Sequence, residues 1–235
     1  GIKYPVISNI LRKVLRNADY LFADGIDLSR GVKRIAGKEC MFLPSAKADV
    51  KYKKINVNID AKKKNILFVG RLDKVKGIDV LVDAVKLTKR KDFNLYVLGG
   101  GPLGSLKNEK LNNVFFKGFV SQEVVSNYLG KCDFVVIPSR NESIPLVLVE
   151  AIKAKKPVIV TDVGDMGYLV SKYNLGEVVK PNSAVALKNG IEEFLDEGKK
   201  GYKKGMSNLA KEFDLRSIVK KFEAIVKKRI FIKKA

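Results

Sequence analysis

From Asn65 onward the chain alternates short runs of β-branched and aromatic residues with stretches whose apolar residues recur every three or four positions. The runs are NILFVG (65–70), FNLYVLG (93–99), NVFFKG (113–118), DFVVIPS (133–139), PVIVT (157–161) and GEVVK (176–180). After the first run, Ile78, Leu81, Val82 and Val85 keep helical spacing, and Val124, Val125, Tyr128 and Leu129 do so behind Ser121, a residue suited to capping a helix start. Strands joined through helices run parallel, because the crossover returns the chain to the end it left. The pattern predicts an α/β fold built on one doubly wound parallel sheet, with ligands outside the carboxyl ends of its strands.

The flanks read differently. NILRKVLRNA is helical in pattern, DYLFAD extended, DLSRGVKRIAG helical and ECMFLP extended, which makes two strands and two short helices, too little for an independent core. SAKADVKYKKINVNIDAKKK reads as a basic linker into the main domain, and FDLRSIVKKFEAIVKKRIFIKKA as an amphipathic helix with a basic outer face.

Composition bounds the chemistry. The 235 residues are 46% hydrophobic, so the chain folds; no stretch nears ~18 uninterrupted apolar residues, and the first residues lack the features of a signal peptide. With no histidine, and with Cys40 and Cys132 far apart, the chain holds no CxxC zinc pair and no Ser-His or Cys-His catalytic pair. Lysine and arginine number 46 against 25 acidic residues, a net charge of +21. That surplus fits nucleic acid, an anionic membrane face or a phosphorylated small molecule, and equally a solubilising lysine-rich surface.

Three local patterns bear on a site. Gly99-x-Gly101-x-x-Gly104 matches a dinucleotide fingerprint in form, but Pro102 interrupts it, about ten residues precede the next strand, and that strand does not end on an acidic residue, so no nicotinamide site is expected. VGRLDKVKG (69–77) puts Arg71 and Lys76 between a strand's carboxyl end and a helix start, where both could hold a diphosphate; Asp73 could also simply pair with either. NESIPLVLVEAI (141–152) spaces Glu142 and Glu150 around an apolar run. Pro145 is tolerated in a helix's first turn, so a helix is predicted to begin near Ser143, turning the free amides of Leu146 and Val147 toward an anion. An ordinary reading of the glutamates stands beside this, with Glu142 as a charge at the helix start and Glu150 paired with Lys153.

GRLDKVKG, GGGPL and FKGFVSQEVVSNYLGKCDFVVIPSRNESIPLVLVEAIKAKKPVIVTDVG together resemble, in order and spacing, the donor-binding carboxyl-terminal domain of GT-B retaining glycosyltransferases of the family 4 type (glycosyl transferases group 1). The likeness covers roughly residues 40–230, and E-x7-E with its flanks is its most specific part. It implies a hexosyltransferase that takes a nucleoside-diphosphate sugar as donor, without a metal cofactor. Arg71 and Lys76 would hold the diphosphate and stabilise the leaving group. Glu142 would accept from the sugar's hydroxyls and Glu150 from the ribose, as acceptor-only groups suit. Gly70, Gly100, Gly101, Leu146 and Val147 would border the donor, and Val120, in GFV (118–120), would meet the base through its main chain. The sequence departs from the family at Asp165 and Tyr168 in GDMGYLV, and at the hinge, where PSAKAD stands for the usual PNGVD.

The resemblance also implies a division into residues 1–45, a remnant of an amino-terminal acceptor domain; 46–64, a linker; 65–213, the donor domain; and 214–235, a helix that crosses back. On that reading the acceptor site, for a glycan, lipid or small molecule, is absent, and the chain alone has little or no transfer activity. The expected location is the cytoplasm, with peripheral attachment to the inner face of an anionic membrane through IVKKRIFIKKA as a further expectation. Two other readings stand lower: a nucleic-acid module, disfavoured because the aromatics fall mostly within strand patterns, and a nucleotide-sugar epimerase or phosphorylase on the same fold.

Overall fold

The computed structural model describes residues 5–47, 53–197 and 202–234. A small unit comprises α1 (Pro5–Asn17), β1 (Phe22–Ala23), α2 (Ile26–Ala36) and β2 (Met41–Phe42), with β1 and β2 parallel. The main sheet follows: β3 (Lys64–Val69), β4 (Phe93–Leu98), β5 (Val114–Gly118), β6 (Phe134–Ile137), β7 (Val158–Thr161) and β8 (Gly176–Val179). All six run parallel in the spatial order β5-β4-β3-β6-β7-β8, and each predicted strand is found to within two residues at either end. The doubly wound α/β fold is therefore as expected.

Alternation along the strands divides the core in two. On β3, Ile66 and Phe68 pack toward α3 (Ile78–Leu87) and α7 (Ala184–Glu197), while Leu67 packs toward α4 (Gln122–Lys131), α5 (Leu146–Lys153) and α6 (Met166–Tyr173). Successive residues of a strand face opposite sides, so a strand covered on both sides is apolar throughout. Ile66 and Leu67 are fully buried, as are Leu148 and Ile159, and burial of such a side chain stabilises the fold by about 1.5–3 kcal/mol. Ser121 caps α4 as predicted, its Oγ accepting from the Val124 amide.

α5 departs from expectation. It begins at Leu146, not near Ser143, and Pro145 is its cap, with φ −70° and ψ 141°. A proline disfavours helical geometry in the residue before it, so Ile144 cannot join the helix at low cost. The first intrahelical bond then runs from the Leu148 amide to Pro145 O at 3.0 Å.

The segment expected to be a linker is packed where it is described. Residues 53–60 run without regular structure, but Val57 is buried in the core beneath α4. The Ile55 amide donates to Asn127 Oδ1 (3.1 Å), and the Asn127 side chain donates to Lys53 O (3.0 Å). Residues 48–52 lie outside the described residues.

α8 (Lys203–Glu212) packs against α5 and α6, and α9 (Leu215–Lys234) crosses back to the small unit. There Phe222 meets Phe22, with ring centroids 5.4 Å apart, and Tyr20 donates to Val226 O at 3.1 Å. Asp165, one of the departures noted above, makes a second tie: its carboxylate accepts from the Ile26 amide (2.6 Å) and the Asp27 amide (3.2 Å), capping α2 from the far side of the chain. Tyr168, the other, is half exposed beneath the Lys172 ammonium. The side chains of residues 228–235, most of the segment for which membrane attachment is expected, lie outside the described residues. No helix among the described residues is long and apolar enough to cross a membrane.

One glycine governs how the sheet's upper rim closes. Gly77 precedes α3 with φ +69°, and a Cβ there would lie 1.9 Å from Pro138 O, so only glycine lets the loop after β3 touch the loop after β6. Gly31, within α2, has open space around its missing Cβ. Gly77→Ala is expected to destabilise the protein by about 3 kcal/mol and Gly31→Ala to stabilise it by about 0.5–1 kcal/mol. Urea unfolding measures both, and equal effects would show that the close approach at Gly77 constrains nothing.

Candidate functional site

In the order β5-β4-β3-β6-β7-β8 the connections diverge between β3 and β6, and the carboxyl ends of those two strands border a natural crevice. A cavity of about 490 Å³ occupies it. Val69, Gly70 and Lys76 reach it from the β3 side, and Ile137, Ser139 and Glu142 from the β6 side. Asp24, just past β1, and Ser45 and Lys47, just past β2, line the same cavity, so the strand ends of both sheets converge there.

Two ion pairs dominate its wall. Lys76 Nζ pairs with Glu142 Oε2, and Lys47 Nζ with Glu150 Oε1. Gln122, in the first turn of α4, donates its Nε2 to the same Glu150 oxygen at 2.9 Å. Leu146 and Val147 line the cavity as the first two residues of α5, where backbone amides have no carbonyl one turn back and the helix dipole is positive. Cations, carboxylates and free amides thus share one half-enclosed space. Such a set suits a ligand with phosphates at one end and hydroxyls at the other.

Arg71 stands apart. Its guanidinium pairs with Asp73, is 68% exposed, and does not line the cavity. Asp73 organises this loop, because it also accepts from the Lys76 amide at 2.8 Å. Burial pushes the Asp73 carboxyl up, but the Lys76 amide and the Arg71 guanidinium outweigh it and hold the group below the usual carboxylate range. Gly100 and Gly101 also lie outside the lining: they allow Phe119 and Leu72 to pack closely, since a Cβ on Gly100 would meet the Phe119 ring and one on Gly101 would meet Leu72 backbone. Val120 is half-buried against the α4 side of the core. The formal dinucleotide motif leads only into a five-residue 3-10 turn, Gly104–Asn108.

Of the ordinary readings of the glutamates, the pairing of Glu150 with Lys153 is replaced by other partners. Glu150 pairs with Lys47 and Gln122, while Lys153 donates its Nζ to Lys47 O at 2.8 Å. Lys47 and Gln122 were missed in the sequence, because one falls in the apparent linker and the other reads only as a helix-start residue.

Arg140 locks the two rim loops together. Its Nη1 and Nη2 donate to Asp79 Oδ1 and Oδ2 (2.7 and 2.9 Å), and its amide donates to Val75 O at 2.7 Å. Burial pushes the Asp79 carboxyl up, but the Arg140 fork outweighs it and holds Asp79 below the usual range. A depressed carboxylate contributes stability that is complete above its unfolded value, about pH 4, and is lost as pH falls through its folded value. Asp79→Asn is therefore expected to lower stability at pH 7 by about 1–2 kcal/mol and to flatten the acid limb below about pH 4. Urea unfolding across pH checks this; an acid limb as steep as the parent's would contradict it.

Comparison with known proteins fits this geometry. The family model described as Glycosyl transferases group 1 matches residues 50–213. An uncharacterised glycosyltransferase of Methanocaldococcus jannaschii is 35% identical over 135 residues, covering 55% of this chain and 38% of its own length. A putative teichuronic acid biosynthesis glycosyltransferase of Bacillus subtilis is 29% identical over 195 residues, 78% of this chain and 48% of its own. Among solved structures, sucrose-phosphate synthase from Thermosynechococcus elongatus shares the fold with a TM-score of 0.84 at 22% identity, covering 98% of this chain and 63% of that one. Anabaena HepE in complex with UDP-glucose does so with a TM-score of 0.77 at 18% identity, covering 97% and 70%. The chain spans about half or less of the length of the curated relatives it matches first.

Proposed function

The chain belongs to the glycosyl transferases group 1 family, and on that premise we propose that it carries the donor-binding part of a retaining glycosyltransferase of the family 4 type. The observation that supports this most is the meeting of Lys76, Glu142, Glu150 and the first turn of α5 in one cavity at the sheet's switch point. HepE was crystallised with UDP and glucose and with UDP-glucose, which supports a nucleotide sugar as the ligand class.

In this reading the diphosphate lies against the Leu146 and Val147 amides and Lys76, the sugar's hydroxyls donate to Glu142, and the ribose hydroxyls donate to Glu150. Lys76 and Glu142 hold each other in an ion pair. Donor binding exchanges that one contact for two, ammonium to phosphate and hydroxyl to carboxylate, so neither charge is left unpaired. Reaction breaks the bond between the anomeric carbon and the phosphate oxygen, whose electron pair stays on the departing diphosphate. The acceptor oxygen forms its bond on the same face, and its proton passes to that phosphate oxygen. Lys76 and the α5 amides stabilise the growing charge without a metal. Arg71 joins them only by leaving Asp73. The location we propose is cytoplasmic, with the basic surface available to an anionic membrane.

Calorimetric titration of the chain with UDP, GDP and ADP tests the donor site without an acceptor. At least one should bind saturably, and Lys76→Met should weaken that binding about tenfold or more, as loss of a charged hydrogen bond implies. Binding of none of the three, or binding indifferent to Lys76→Met, would contradict the reading.

A further inference from the structure

The donor reading gives Glu150 a task but leaves Lys47 without one. Lys47 is held at both ends along α5: its carbonyl accepts from Lys153 Nζ at 2.8 Å, and its ammonium pairs with Glu150. Residues 150 and 153 lie on one helix face, so this grip fixes the residue rather than letting it wander. Both members of the pair are largely removed from water, with Glu150 13% and Lys47 28% exposed, and both line the cavity.

The pair's hydrogen-bonding capacity is unevenly used. Lys47 and Gln122 both meet Glu150 Oε1, which leaves Oε2 as an acceptor for a ligand. An ammonium has three N–H donors, and the contact with Glu150 uses one. A vicinal diol offers two O–H donors and two oxygen acceptors. A carboxylate alone meets only the donor half; a carboxylate beside an ammonium meets both.

We propose that Lys47 is a specificity-determining residue that, with Glu150, reads the 2′,3′-diol of the donor's ribose, Glu150 accepting from the hydroxyls and Lys47 donating to their oxygens. This rests on the nucleotide-donor reading above. It also accounts for a lysine in a wall where Asp24, Glu142 and Glu150 already outnumber Lys76: paired with Glu150, it recognises a polar neutral group instead of adding to the phosphate clamp.

Calorimetry on the whole chain with UDP and 2′-deoxy-UDP, or the GDP or ADP pair if that nucleotide binds tighter, separates the possibilities. The parent protein should prefer the ribose form about tenfold or more, because a site built to pair a hydroxyl rejects the analogue lacking it. Lys47→Met should shrink that preference to about threefold or less, and Lys47→Arg should keep most of it. Equal affinity of the parent for both sugars overturns the proposal with no variant needed. So does a Lys47→Met protein that loses the same factor for both, since Lys47 would then serve only as charge for the phosphates. Failure of the parent to bind any nucleotide is a different result and removes the donor reading itself.

Discussion

A parallel sheet covered by helices on both faces has nowhere to present chemistry except its strand ends. Here β6 is apolar through its length, and β3 from Ile66 to Val69, because each face meets a helix layer. Polar function is pushed to the loops beyond Val69 and Ile137, where two crossovers part and helix starts gather. The cavity's residues follow from that. Lys76 lies ahead of α3, Glu142 ahead of α5, and Glu150 one turn inside α5, all at one end of the sheet. Gly77 and Arg140 then bring the two rim loops close enough for a lysine of one to meet a glutamate of the other.

Ion pairs span the crevice. Glu142 and Glu150, both largely removed from water, are paired by lysines, which offsets the cost that isolated charges would carry in a half-dry space. A ligand is therefore bound only if it offers replacements, an anion for each released cation and hydroxyls for each released carboxylate. Few ligand classes combine both, and a nucleoside-diphosphate sugar is one. The small unit adds to this economy of contacts. Asp165 caps α2 across the chain and α9 returns to Phe22, which hold Asp24 and the segment carrying Lys47 against the rim.

The fold was legible because strand and helix periods are local and repeat many times. All six main strands stood out as apolar runs bounded by glycine, proline or polar residues, and the capping of α4 was readable from Ser121. α5 starts three residues later than a first-turn proline alone implies, since Pro145 acts on the residue before it as well as on itself. Within the site, Lys76 was legible from its place past a strand end, whereas Glu142 and Glu150 stood out only through the resemblance of E-x7-E and its flanks to the glycosyltransferase family. Arg71 was not separable from them, because its capture by Asp73 depends on how a loop turns. Lys47 was invisible for the opposite reason: its partner, Glu150, is 103 positions away, and one lysine among 46 basic residues carries no signal until the chain is folded. The packing of Val57 under α4 was hidden in the same way, one apolar side chain in a lysine-rich stretch.

The most direct test of the account is a crystal structure of the chain soaked with the nucleoside diphosphate it binds. The account predicts phosphate density within hydrogen-bonding distance of the Leu146 and Val147 amides and of Lys76 Nζ, with the Lys76–Glu142 contact opened. Nucleotide density elsewhere, for example in the basic groove beside Arg30 and Arg34, with that ion pair still closed, would contradict it.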